Sequence, residues 1–245
     1  MKACLAIPIY DHGETVGAVV GSLASMELPC IVVDDGCGRS TRAVLERLEA
    51  RHPWLDVIHH PENRGRGAAL KTAYRTAARR GMTHVVQLDA DGQHNAEDVP
   101  DFLAAARARP EALVLGEPIF DASIPWHRKH GRKLSKAIVW AQTGSTAVRD
   151  PLCGFRCVPL SPTLALLDRV RWGDRMEFDP ELVIRLVRAG VPVVGVPTAV
   201  LYPEGGISHF QIVRDNLRIA GSYVRLAFEA PWRTAPIAID GRTSP

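Results

Sequence analysis

VVQLDADGQH, Val85–His94, decides how the rest of the chain is read. It starts as an apolar run fit for a buried strand, then sets down Asp89 and Asp91 with one alanine between them. Side chains two apart on a strand point the same way, about 6–7 Å apart at the backbone. Two like charges so placed repel each other and lose hydration. A hard divalent cation such as Mg²⁺ or Mn²⁺ would remove that repulsion, since it takes oxygen ligands and leaves positions for phosphates. Gln93 and His94 follow closely on the turn. The competing reading is an Asp-rich turn closing a strand, where Asp and Gly are at home. On this stretch alone the two stand level. An EF-hand does not compete, because Gly92 is the fourth residue rather than the sixth and Pro100 stands at the twelfth.

Outward from this stretch, strand-like and helix-like segments alternate. ACLAIPI, PCIVV, LDVIHH, THVVQLD and ALVLG are short, apolar and rich in β-branched residues. Helical patterns lie near Thr15–Ser25, Thr41–Arg51, Gly67–Arg80 and Ala96–Arg107, the last with Asn95 as its N-cap. The alternation predicts an α/β fold, a mostly parallel Rossmann-like sheet with helices on both faces. Ligands of such sheets sit beyond the carboxyl ends of the strands. Three strand ends carry polar residues suited to that place: PIYDHGE, DDGCGRS and DADGQH.

Each of these has a plain alternative. Asp34 and Asp35 can accept hydrogen bonds from a nucleobase or ribose, or can form an ordinary turn before a helix. Gly65 and Gly67 in NRGRGAALKTA can admit a ligand to the backbone, or can end a loop. PIYDHGETVG lacks the GxGxxG of a dinucleotide fold. The later chain predicts a basic helix over His127–Thr143, a loop and strand in RDPLCGFRCVP, a helix over Pro180–Ala189, a short strand pair around Val193–Tyr202 and a final helix.

The chain has 245 residues, 46% hydrophobic and 23% charged, with a formal net charge of +3. That composition is a soluble globular protein's, and the mild charge argues against nucleic acid while suiting anionic small molecules or an anionic membrane surface. No stretch approaches the roughly 20 apolar residues of a membrane-spanning helix. The run after Met1 reads as a first strand rather than a signal peptide. The five cysteines show no CxxC spacing, which predicts free thiols in a reducing cytoplasm and no structural zinc.

The blocks IPIYDHGE, VVDDG, NRGRGAAL, LDADGQH and DPLCGFR, in this order, resemble the family 2 glycosyltransferases of the GT-A fold. The resemblance is closest to the dolichyl-phosphate mannose synthase-like branch. Within it, the chain is similar to small bacterial members that accompany aryl-polyene lipid biosynthesis. The resemblance implies one domain over 1–229, with a nucleotide-sugar half at 1–117, an acceptor-side half at 118–229 and a loosely held tail at 230–245. It implies that Pro8, Tyr10, Glu14, Val33 and Asp35 line the base and ribose pocket of a UDP- or GDP-hexose. Asp89, Ala90 and Asp91 would meet the donor diphosphate, with Asp89, Asp91 and Gln93 holding Mg²⁺ or Mn²⁺. Asp91 then serves catalysis by stabilising charge on the leaving diphosphate through the metal. An acidic residue facing the acceptor falls in RMEFDPELV, at Glu177 or Asp179. Asp179, before a proline, also suits a helix N-cap.

Two departures from the mannose synthase pattern stand out. LGEPIFD has Pro118 where those enzymes carry a glycine-x-arginine, and YPEGGISHF has Pro203 and His209 where they carry an arginine and a lysine. Replacement charge for an acceptor phosphate can come from His209, from Arg156 in CGFR, or from Arg128, Lys129, Arg132, Lys133 and Lys136 on the basic helix. A solvated helix face explains the last group equally. QIVRDNLRIAGSYVRLAFE is amphipathic, with Gln211, Arg214, Asp215, Arg218, Ser222, Arg225 and Glu229 on one side. That face suits peripheral contact with the inner surface of an anionic cytoplasmic membrane, or a homodimer contact, or packing onto the domain. The sequence therefore predicts a metal-dependent inverting glycosyltransferase acting on a lipid-linked acceptor. Its rivals are a catalytically silent nucleotide-sugar-binding module that recruits a partner, and a sugar nucleotidyltransferase.

Overall fold

A computed structural model describes residues 1–119, 126–200 and 211–229, of which 126–129 and 212 by backbone only. Its centre is one seven-stranded sheet in the order β3-β2-β1-β4-β6-β5-β7. The strands are β1 (Ala3–Ile9), β2 (Cys30–Asp34), β3 (Leu55–His59), β4 (His84–Gln87), β5 (Leu113–Ile119), β6 (Arg156–Pro159) and β7 (Val193–Ala199). β6 runs antiparallel to β4 and β5; the remaining pairs are parallel.

Strands covered on both faces read as continuous apolar runs, and β2 is buried at every residue. Alternate side chains feed opposite cores. Leu5, Ile7, Cys30 and Val32 pack with Val16, Val20, Leu45 and Phe102 from α1 (Gly13–Leu23), α2 (Arg39–Arg51) and α4 (Val99–Ala108). Cys4, Ala6, Ile31 and Val33 pack with Leu70, Tyr74, Leu182 and Tyr223 from α3 (Arg66–Arg79), α7 (Phe178–Arg188) and α8 (Ile212–Phe228). α5 (Trp126–Thr143) and α6 (Leu160–Leu167) complete the second layer. All five cysteines are buried free thiols, and burial pushes those of Cys153 and Cys157 up to about 12.

Three local expectations are corrected. Asn95 does accept a hydrogen bond from the Glu97 amide, but it caps a single 3₁₀ turn that leads into α4. The segment after Gly190 is one strand, β7, laid parallel on β5, with Val200 bridging His94. A strand pair there would need a turn, whereas each residue from Val193 to Ala199 has a partner on β5. α6, in LSPTLALL, was not anticipated; its Pro162 is tolerated because it lies in the first turn. The expected tail from Ala230, and His209 with Pro203, lie outside the described residues.

Candidate active site

The carboxyl ends of β1, β2 and β4 lie side by side, so the three polar blocks meet at one edge of the sheet. β4 stops at Gln87, and Asp89 and Asp91 stand in the turn beyond it rather than on the strand. Their proximity therefore comes from a tight turn, with Gly92 at φ 73° and the Gln93 amide donating to Asp91 Oδ1 at 3.0 Å. Thr15 Oγ1 pins this turn to α1 by donating to the Ala90 carbonyl at 2.6 Å.

Asp89 is the better compensated of the two. Its Oδ1 is ion-paired with Arg66 Nη1, and its Oδ2 lies 3.3 Å from His94 Nε2. Burial would raise this carboxyl, but the Arg66 guanidinium and His94 prevail and hold it well below the ordinary carboxylate range. Asp91 is offset only weakly, by the Gln93 amide and by His94 and His12. Burial first, and then the charge of Asp89, raise its carboxyl above the usual value. The repulsion expected from the sequence is thus present, and it falls on Asp91.

Arg66 reaches further. Its Nε donates to Asp179 Oδ2 at 2.7 Å, so one guanidinium bridges the β4 turn and α7. Glu177, not Asp179, occupies the N-cap position of α7, without a side-chain capping bond. Asp179 turns inward because Arg66 and the Gln87 amide (Nε2 to Oδ1, 3.3 Å) hold it there. Tyr74 OH orients Gln87 by donating to its Oε1 at 2.6 Å. Glu177 Oε1 accepts from the Arg175 amide at 3.3 Å, and its Oε2 is buried without a hydrogen-bond partner.

The expected base and ribose residues divide. Tyr10 and Glu14 are exposed at the rim. Pro8 and Val33 are buried and paired in register within the sheet. Asp35 is saturated by the chain itself: Oδ1 meets His60 Nδ1 at 2.8 Å and the Arg64 amide at 3.0 Å, while Oδ2 accepts from the Gly65 amide at 2.7 Å. Asp34 likewise holds the Cys37 amide, Arg42 and His59. The DDG carboxylates thus fix the loops that follow β2 and precede α3.

Through Asp35 the NRGRG block acquires a clear purpose. Gly65, at φ 105°, ends the held loop and starts α3 at Arg66. A Cβ at Gly65 would come within 2.5 Å of the Asp174 carbonyl oxygen, and one at Gly67 within 2.5 Å of Phe178 Cβ. These glycines admit another part of the same chain, and thereby seat Arg66 between Asp89 and Asp179.

Two of the expected phosphate-binding cations, Arg156 and Arg132, are committed elsewhere. Arg156 is fully buried, giving Nε and Nη2 to the Cys153 carbonyl and Nη1 to the Asp179 carbonyl, so it is a strut behind the site. Arg132 pairs with Asp150 at 2.6 Å. The Arg128 side chain and His209 lie outside the described residues. Sequence reasoning missed Arg66, Thr15, Gln87 and Gly154; the only available signal was the arginine between two glycines in NRGRG.

The donor set suits a divalent ion. The two carboxylates are close enough to interact through charge, Asp89 Oδ1 is buried without a well-formed hydrogen bond, and Asp91 is under-compensated. Among the described residues no group of three His, Cys, Asp or Glu side chains is gathered, so remaining ligands would come from phosphate and water.

A sheet of this order with its sixth strand reversed, carrying a paired-carboxylate turn beyond its fourth, has the GT-A fold. The chain belongs to glycosyltransferase family 2, matching its model, described as Glycosyl transferase family 2, over residues 4–169. It is 26% identical to a polyprenol monophosphomannose synthase of Mycolicibacterium smegmatis, covering 98% of this chain and 88% of that one. It is 28% identical to an undecaprenyl-phosphate mannosyltransferase of Micrococcus luteus, covering 85% and 87%. Among solved structures, glucosyl-3-phosphoglycerate synthase of M. tuberculosis superposes with a TM-score of 0.68 at 14% identity, covering 97% of this chain and 82% of that one. A mannosyltransferase from Pyrobaculum calidifontis in complex with GDP-Man and Mn²⁺ gives 0.59 at 18% identity, covering 95% and 72%.

Proposed function

We propose that the protein moves a hexose from a nucleoside-diphosphate sugar to a polyprenyl phosphate or related lipid-linked acceptor, with inversion and with Mg²⁺ or Mn²⁺. The observation that carries this is the Asp89–Asp91 turn at the carboxyl edge of the sheet, negative and only half compensated. Asp89, Asp91 and Gln93 would hold the ion. When bound, it supplies Lewis-acid stabilisation of the departing diphosphate.

The chain's own groups favour an acceptor that arrives ionised. A hydroxyl acceptor needs a base, whereas a phosphate does not. Asp179 is already engaged by Arg66 and Gln87, so it positions rather than abstracts. Its relatives' names, which specify polyprenol, undecaprenyl-phosphate and mannose, support a phosphorylated lipid acceptor and make GDP-mannose the first donor to test.

Contact with the membrane is supported by α8, through an apolar stripe that lies beside the polar residues expected from sequence. Of those, Asp215 and Ser222 are buried, and Arg225 and Glu229 pair with Glu181 and Arg185 at 2.8 Å, while Gln211, Arg214 and Arg225 stay exposed. The outward stripe is apolar: Val213, Leu217, Val224 and Phe228 are 73, 68, 58 and 87% exposed. No helix among the described residues is long and apolar enough to cross a membrane. An exposed apolar stripe with arginines at its flank suits an interfacial helix instead.

The test is calorimetric titration of GDP and UDP with and without Mn²⁺, alongside transfer from GDP-mannose to undecaprenyl phosphate. The nucleotide should bind in a metal-dependent way, and Asp91→Ala should lower product formation by at least about a hundredfold. Unchanged product formation in Asp91→Ala would remove the reading, and nucleotide binding indifferent to metal would favour a silent module.

A further inference from the structure

Arg66 stands where the donor-side and acceptor-side elements meet. Nη1 is ion-paired with Asp89 Oδ1, Nε donates to Asp179 Oδ2 at 2.7 Å, and Nη2 is buried with no hydrogen-bond partner. The side chain is 14% exposed and closely boxed: a Cβ on Gly154 would approach Nη2 to 2.9 Å, and the glycines on either side of Arg66 are packed on Asp174 and Phe178. It therefore has little room to swing out of the site.

Two consequences follow from charge and geometry. Asp89 already gives Oδ1 to Arg66 and Oδ2 to His94, so a divalent ion would compete with Arg66 for this carboxylate. A fixed guanidinium beside the site also repels a free dication in a poorly screened interior. A diphosphate reverses both effects, because its oxygens can take up the idle Nη2 as well as the metal, and Arg–phosphate hydrogen bonds are strong.

We propose that Arg66 makes metal capture conditional on the donor: it is a positioning residue that holds Asp89 while no diphosphate is present and gives it up as metal and diphosphate enter together. This inference rests on the metal reading of the Asp89–Asp91 turn. Its consequence is that the free protein discriminates against a bare divalent ion and binds the metal–nucleotide pair.

Mn²⁺ binding, followed by paramagnetic resonance or calorimetry, tests it on wild type, Arg66→Gln and Arg66→Lys, each alone and with saturating GDP or UDP. Wild type should bind Mn²⁺ alone weakly and gain strongly from nucleotide. Arg66→Gln should bind Mn²⁺ alone about tenfold or more tighter, with a correspondingly smaller gain from nucleotide. Arg66→Lys keeps the charge but cannot span both carboxylates, so its affinity for Mn²⁺ alone should lie between the two. Circular dichroism verifies folding. If Arg66→Gln does not fold, equal affinity for Mn²⁺ alone in Arg66→Lys and wild type overturns the inference. A folded Arg66→Gln with unaltered affinity for Mn²⁺ alone overturns it while leaving the metal reading intact. Failure of every protein to bind Mn²⁺, with or without nucleotide, overturns both.

Discussion

A methyl group added at Gly154 would overlap Asp89 Oδ2 and press on Arg66 Nη2. Gly154 has an ordinary backbone conformation, so the glycine is required for space rather than for φ. Its carbonyl also accepts from Gln87 Nε2 at 2.9 Å, which ties β6's approach loop to the site's floor. Gly154→Ala should therefore act on chemistry more than on stability. Displacing Asp89 by about 1 Å should lower kcat/KM by around a hundredfold, with a melting temperature within a few degrees of wild type. Steady-state transfer assays paired with thermal melts check this; a fully active Gly154→Ala would show that the Asp89 position is not critical. At this scale the carboxylates were legible because charge at the end of an apolar run is locally unfavourable. Gly154 was not, since its neighbours Asp89 and Arg66 are distant in sequence.

At the scale of one element, α8 divides its polar residues between protein and solvent. Its two-sided character was plain from the sequence, and the ordinary expectation puts the polar side in water. Here buried partners draw part of that side inward, while Gln211, Arg214 and Arg225 remain exposed. Glu181 and Arg185 on α7 are both fully buried and charged, and they pair with Arg225 and Glu229. Asp215 is drawn in as well, where Oδ2 accepts from the Gln211 amide at 2.9 Å at the helix start. Ile219, Tyr223 and Leu226 fill the remaining contact with the core. Val213, Leu217, Val224 and Phe228 stay exposed, alongside Arg214 and Arg225. Replacing Leu217 and Phe228 by serine should weaken binding to anionic lipid vesicles at least about tenfold, because each buried apolar side chain contributes about 1.5–3 kcal/mol. Vesicle sedimentation measures it. A variant that keeps vesicle binding but loses self-association in sedimentation velocity would assign the stripe to a dimer contact.

For the molecule as a whole, the two halves expected from sequence are interleaved by the sheet. β6, from the later half, is hydrogen-bonded between β4 and β5 of the earlier one. The late helices are then locked by a buried ion network. Arg185 meets Glu181 at 2.8 and 2.9 Å and Glu229 at 2.8 Å, and its guanidinium lies 4.9 Å from the Trp172 ring centre. Removing it leaves two carboxylates without their shared cation. Arg185→Ala should cost about 3–5 kcal/mol in chemical denaturation, whereas a loss under about 1 kcal/mol would mean that water compensates these acids.

Taken by itself, the sequence determined the α/β class, the mostly parallel sheet and the place of the carboxylate pair just beyond β4. Those signals are short-ranged: a strand's apolar run, a helix's period and two acids in close succession are each complete within about ten residues. Tertiary structure alone decided what the charges do. It gave Asp35 to the loop before α3, Arg156 to the interior, and Arg66 to both Asp89 and Asp179. Coulomb attraction depends on distance in space, and the folded chain sets that distance between residues as far apart in sequence as Arg66 and Asp179.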